Sequence, residues 1–186
     1  SDLLNHNAQI ESIKNGNKDA FNKLILQLEP KVSATVYGML GFCQEAEDVG
    51  QETFVRLYKS MSQFRGEANI ETYVTRIAIN LSLNELKRRK RRSFLFIRQD
   101  KQELENYMSG SDDQKNQETK ELVNNAISKL KAGFKSVVVL RLLNGYSVKE
   151  TAKILQIPPG TVLSRLARAQ IKLKEILTPQ MENRHG

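Results

Sequence analysis

Tryptophan is absent from the 186-residue sequence, cysteine occurs once and histidine twice. A single cysteine excludes an internal disulfide framework. Its neighbours Leu40 and Phe42 predict that Cys43 is a buried thiol. His6 and His185 stand near opposite ends with no ligand cluster around them, so the sequence offers neither a metal site nor a cofactor site. No apolar run approaches the roughly 20 residues that span a bilayer, and the first residues lack the basic, apolar and small-residue zones of a signal peptide. The expectation is a soluble, cytoplasmic protein without membrane insertion. Acidic residues are the minority, 21 against 29 lysines and arginines, for a formal net charge of +8. Such a surplus favours a polyanionic partner, nucleic acid first and an anionic membrane surface second.

What the chain does have is apolar spacing at a period near 3.6 residues in two long stretches, which predicts an all-α fold. Residues 6–28 read as a helix interrupted near Asn15, Gly16 and Asn17, restarting at Asp19 with Phe21, Leu24, Ile25 and Leu28 on one side and stopped by Pro30. Residues 31–41 continue helically through Val32, Val36, Tyr37 and Leu40. The next helix, about 44–62, turns Ala46, Val49, Thr53, Phe54, Leu57, Tyr58 and Met61 inward. Glu45, Asp48, Glu52 and Lys59 then face away, with Glu47 and Gln51 on the flanks. Carboxylates gathered on one face of so basic a chain fit either a favourable interaction with the helix N-terminus or a docking surface for a basic protein. An acid pair for catalysis is not indicated, because no histidine, metal-ligand set or apolar setting accompanies them.

A loop at 64–69 leads into a helix from Ile70 to about Arg92. Tyr73, Ile77 and Leu81 fall at helical spacing, while Arg76, Asn80, Asn84, Lys87 and Arg88 form a polar strip. An aromatic followed by arginine and asparagine side chains suits stacking on, and hydrogen bonding to, unpaired bases. Residues 87–92, KRRKRR, are six consecutive cations that repel one another and call for water or phosphates. From residue 93 the composition turns polar after a short apolar patch, Phe94 to Ile97, and predicts a flexible linker. Helical spacing resumes at 118–130 with Leu122, Ala126, Ile127 and Leu130. Gly133 separates that helix from 134–143, whose apolar residues cover more than one face and suggest a central helix.

Residues 144–173, NGYSVKETAKILQIPPGTVLSRLARAQIKL, have the layout of a helix-turn-helix. Asn144 and Gly145 can close the preceding helix. Ser147 and Glu150 form a capping box, and Val148, Ala152 and Leu155 give the short helix an apolar side. Pro158, Pro159 and Gly160 are read as its end, and Thr161 as the cap of a second helix with the stripe Val162, Leu166, Ala169, Leu173 and Ile176. Opposite that stripe lie Ser164, Ala167 and Arg168, with Thr161 and Lys172 near its edge, small and cationic groups suited to base edges and phosphates. Arg165 lies nearer the buried flank and suits a phosphate contact or a bridge to Glu150. A polymerase-dependent factor, a free-standing dimeric regulator and a nucleic-acid enzyme are the three functional classes open to such a chain. The last lacks any general-base or metal constellation.

Taken together, residues 46–54 (AEDVGQETF), 64–67 (FRGE) with Tyr73 and 76–80 (RIAIN), and 158–165 (PPGTVLSR) resemble the extracytoplasmic-function, group 4, sigma factors of bacterial RNA polymerase. The resemblance implies a sigma-2 helical bundle over 1–92, a linker over 93–117 and a sigma-4 helix-turn-helix bundle over 118–186. It implies core polymerase as partner, through the largest-subunit clamp helices and the flap region, with Glu47, Asp48, Gln51 and Glu52 docking. Promoter DNA is the second partner. Phe64, Arg65, Gly66, Tyr73, Arg76, Asn80, Asn84, Lys87 and Arg88 would melt and hold the minus-10 element. Thr161, Leu163, Ser164, Arg165, Ala167, Arg168 and Lys172 would read the minus-35 element. An anti-sigma factor holding the two bundles inactive is a further implied partner. The chain departs from the family pattern at Tyr73, where tryptophan is usual, at Gly50 and Lys131, and at Leu163, which takes the place of a common cation.

Overall fold

The computed structural model describes residues 2–96 and 114–183, and the described residues are helical with turns between them. Helix α1 is Asp2–Lys14, α2 Lys18–Leu40, α3 Gln44–Ser60 and α4 Ile70–Phe96. A 3-10 turn, Met61–Gln63, extends α3. After the gap come α5 Gln114–Ser128, α6 Ala132–Val138, a π turn Val139–Leu143, α7 Val148–Leu155 and α8 Pro159–Glu182. The predicted linker falls mostly on 97–113, outside the described residues.

The first bundle is α1 to α4. Leu24, Val32, Val36, Leu57, Val74 and Ile79 are fully enclosed between α2, α3 and α4. The break before α2 is as expected: Asn17 caps the helix by accepting the Ala20 amide at 3.1 Å, and Gly16 takes φ +90. Pro30, however, does not end the helix, and α2 runs through it. The bond lost is the one to the carbonyl of Leu26, and both residues lie on the exposed side, where water can serve that carbonyl. Tyr58 likewise departs from expectation: it is mostly exposed and lies edge-on to Phe21 at 4.9 Å.

The second bundle is α5 to α8. Gly133 does not separate α5 from α6. It lies inside α6, whose N-cap is Lys131, and the arginine at 165 packs over it, within 3.6 Å of where a Cβ would stand. The predicted central helix is present, but its last turn widens to π geometry between Val139 and Leu143. One continuous buried cluster runs from Ile10 and Leu24 in the first bundle through Val138, Leu140, Tyr146 and Ile154 in the second. A small satellite, Val137, Ala152 and Val162, holds the helix-turn-helix together.

Candidate nucleic-acid and polymerase interfaces

The helix-turn-helix forms for local reasons that the sequence states well. Ser147 accepts the Glu150 amide at 3.1 Å, and the Glu150 carboxylate accepts the Ser147 amide at 2.7 Å, closing the capping box. That backbone hydrogen bond holds the Glu150 carboxyl below its ordinary range. Gly145, at φ +72, makes the preceding reversal; Asn144 itself stays right-handed. The turn between the two helices needs correction. Helix α7 ends at Leu155 on Gln156, which takes the left-handed conformation at φ 55 and ψ 46. The prolines therefore begin α8 rather than end α7: Pro159 is its first residue, where a missing amide costs nothing, and the Pro158 carbonyl receives the amides of Thr161 and Val162. Thr161 is inside the first turn and is not the cap.

On α8, Leu163, Ser164, Ala167 and Arg168 are exposed together, and Val162 and Ala169 are buried, so the predicted stripe and its opposite face are both in place. Leu163 is 54% exposed, a large apolar side chain held out in water. Lys172 is exposed and pairs with Glu175 at 3.2 Å. Arg165 is half-buried against Gly133, and Glu150 is engaged in its capping box, so the alternative bridge between them does not form.

Between α3 and α4 lies an open groove of about 410 Å³. Glu45, Asp48, Glu52 and Val49 line one wall; Leu81, Asn84 and Arg88 line the other. Glu47 and Gln51 are exposed outside it. A hydrogen bond from its own backbone amide lowers the Glu45 carboxyl, helped by the guanidinium groups of Arg89 and Arg92. Glu52 pairs with Arg56 at 2.9 Å and Asp48 accepts from Gln44 at 3.1 Å. Arg56 and the buried Glu85 complete the lining, so the acidic face is a rim of carboxylates interspersed with arginines, of which Asp48 and Glu52 are exposed.

Along α4 the expected nucleic-acid residues divide. Arg65, Gly66, Asn80, Asn84, Lys87 and Arg88 are exposed. Phe64 is not a surface residue: it is 6% exposed and its ring packs 5.0 Å from that of half-buried Tyr73. Its apolar ring completes the core beneath the loop, and its carbonyl accepts Lys14 Nζ at 2.6 Å. Arg76 is half-buried and donates from Nη2 to the carbonyl of Lys153 on α7, 2.9 Å away. The run 87–92 is also not a set of free cations. Glu85, 8% exposed, binds Arg88 Nε at 2.8 Å, Arg92 Nη2 at 3.2 Å and Arg89 Nε at 3.7 Å. Arg89 further donates to the Leu40 carbonyl at 2.9 Å and to the sulfur of Cys43 at 3.0 Å, so Cys43 is a half-buried helix cap and not an enclosed thiol. A carboxylate three, four and seven residues before three arginines is the signal in the sequence for a helical partner.

Sequence reasoning also missed a polar cluster between the bundles, made by Lys31, Thr35, Glu71 and Thr75 from the first and Asn144 and Tyr146 from the second. Only the aromatic just before the Ser147 cap hinted at a packed position there. Among the described residues no group of three His, Cys, Asp or Glu could hold a metal ion, and no helix is long and apolar enough to cross a membrane.

An acidic groove on one bundle, a polar and cationic helix beside it and an exposed recognition-type helix on another define a multi-part transcription protein. Comparison with known proteins agrees. Residues 24–92 match the Sigma-70 region 2 family and residues 120–173 the Sigma-70, region 4 family. The chain is 31% identical over 179 residues to the RNA polymerase sigma-H factor of Pseudomonas aeruginosa, covering 91% of this chain and 92% of the relative. It is 31% identical over 192 residues to the ECF RNA polymerase sigma-E factor of Haemophilus influenzae, covering 97% of this chain and 100% of that one. It is also similar, at 29% over 91% of its length and 95% of the relative's, to the ECF RNA polymerase sigma factor SigW of Bacillus subtilis. The chain belongs to the extracytoplasmic-function sigma factors of RNA polymerase. Its fold is that of the sigma factor RpoE solved with the anti-sigma factor NepR from Bartonella quintana, at TM-score 0.67, 22% identity and coverage of 85% and 96%. CnrH solved with the cytosolic domain of CnrY is equally similar, at TM-score 0.68, 21% identity and coverage of 92% and 96%.

Proposed function

We propose that the chain binds core RNA polymerase through the α3 rim and divides promoter recognition between its two bundles, with no catalytic residues of its own and in the cytoplasm. The domains are taken as 1–92, 93–117 and 118–186, with the last turn of α4 and the first turn of α5 falling inside the 93–117 stretch. Asp48 and Glu52 are the main docking carboxylates, with Glu47 and Gln51 at the margin, against a basic helical surface such as the largest-subunit clamp helices. The flap region is the second anchor on the polymerase. Exposed Arg65, Asn80, Asn84, Lys87 and Arg88, with Gly66 in the loop, hold the opened minus-10 strand, and Tyr73 offers a ring edge supported from below by Phe64. Arg76 joins them only once it leaves Lys153. Leu163, Ser164, Ala167 and Arg168 enter the major groove of the minus-35 duplex, with Thr161, Arg165 and Lys172 at phosphates. An anti-sigma factor is a further partner, in keeping with the complexes of its structural relatives.

The observation that carries this reading is the pairing of opposite surfaces on one short chain: solvent-facing carboxylates at Asp48 and Glu52, and an outward face of small groups and a guanidinium on α8. A free-standing regulator has no use for the first. The test is reconstitution with core polymerase on genomic DNA and sequencing of transcript 5′ ends. Chain-dependent starts that share two upstream motifs support the reading; starts that ignore the chain remove it.

A further inference from the structure

We propose that the outward face of α8 reads thymine methyl groups: Leu163, Ala167 and Ile171 form an apolar stripe that packs against them in the upstream duplex element, with Arg168 on a guanine about two base pairs away. The proposal rests on the promoter reading above and deepens it.

A helix on the surface of a bundle needs one apolar side, and α8 has two. Its inner side holds Val162 and Ala169, both fully buried. On the far side Leu163, Ala167 and Ile171 recur at every fourth position, so they line up along the helix. All three are exposed, Leu163 by 54% and Ile171 by 60%. A single leucine in water is ordinary. An aligned apolar stripe turned away from the core has no part in holding the bundle and calls for a partner.

The surroundings of the stripe say what that partner is. Between Pro159 and Glu175 the helix carries Arg165, Arg168, Lys172 and Lys174 against the one carboxylate of Glu175, which pairs with Lys172 at 3.2 Å. Cations bordering an apolar stripe match phosphates bordering the floor of the major groove, where the apolar groups are the C5 methyls of thymine. Other polar groups of α8 are engaged within the chain: Ser164 Oγ donates to the Thr161 carbonyl at 3.1 Å, and Arg165 lies against Gly133. Arg168 is exposed at the middle of the face, and a guanidinium there suits O6 and N7 of guanine. It stands five residues beyond Leu163, about 7.5 Å along the axis, which is about two base-pair steps. Leu163 lies in the N-terminal turns of α8, the part that a recognition helix inserts most deeply, and Ile171 closes the outer end of the stripe.

The test uses reconstituted holoenzyme on promoters chosen from its own start sites. Each thymine of the upstream motif is replaced in turn by deoxyuridine, which pairs identically and lacks only the methyl. Wild-type initiation should fall about four-fold at one thymine or at two neighbouring ones, the effect of one buried methyl. Leu163→Ala should begin lower on the thymine template by a similar factor and lose nothing further at that deoxyuridine. Leu163→Met, equally apolar, should keep the sensitivity. If no upstream deoxyuridine lowers wild-type initiation, or if the drop is undiminished in Leu163→Ala, the proposal is overturned. A free wild-type chain that sediments as a dimer, and as a monomer once Leu163→Ala is made, also overturns it and assigns the stripe to a second copy. Initiation that ignores the chain on every template counts instead against the promoter reading.

Discussion

Glu85 sits one turn before Arg88, its carboxylate 2.8 Å from that guanidinium, and is the buried counter-charge around which the cationic end of α4 is folded. Arg89 and Arg92 reach the same group, and Arg89 carries the link on to Leu40 at the end of α2 and Cys43 at the cap of α3. Substitution Glu85→Ala leaves three arginines without their common partner. Loss of a fully buried pair costs about 3–5 kcal/mol; with the arginines half in water, about 1–2 kcal/mol is expected here. Urea unfolding at low and high salt measures it. The loss should shrink as salt screens the arginines, and a variant as stable as wild type at low salt contradicts the role.

Asp48 stands in solvent on the groove rim and, among the described residues, bonds to Gln44 on its own helix, so its replacement disturbs little of the fold. Asp48→Arg should weaken binding to core polymerase at least ten-fold while circular dichroism and binding to isolated promoter DNA stay as in wild type. Fluorescence titration of the core enzyme reads the first. Equal core affinity removes the docking assignment.

How much of this was readable beforehand follows from the range of each interaction. The capping box at Ser147 and Glu150, the buried stripe of α8 and the outward face of Arg168 depend on neighbours within two turns, and spacing alone declares them. The proline turn is ambiguous in sequence because Pro159 suits the first turn of a helix as well as the residues after one. Phe64 looks the same in sequence whether it stacks on a base or on Tyr73. Lys31 and Tyr146, more than a hundred residues apart, meet only because two bundles pack, and nothing local announces that.

The capping box gives a pH signature. The Glu150 carboxyl lies below its ordinary value of 4.5 because it accepts the Ser147 amide. A depressed carboxylate contributes stability that is present above the ordinary value and lost as pH falls through the folded one. Glu150→Ala should therefore unfold at a lower temperature than wild type at neutral pH, with the gap closing in acid below about pH 4.5. Ser147→Ala should cost about 1 kcal/mol. Thermal unfolding across pH reads both, and a gap that persists in acid contradicts the assignment.

The division of labour between the bundles is tested most directly by start-site sequencing with reconstituted polymerase and two variants, Arg168→Ala and Asn80→Ala. Arg168→Ala should flatten the preference for the upstream motif, by about 1–3 kcal/mol at the contacted base pair, and leave the downstream motif as it was. Asn80→Ala should do the reverse. If both variants erode both motifs alike, or neither changes either one, the two bundles do not read separate elements and the account is wrong.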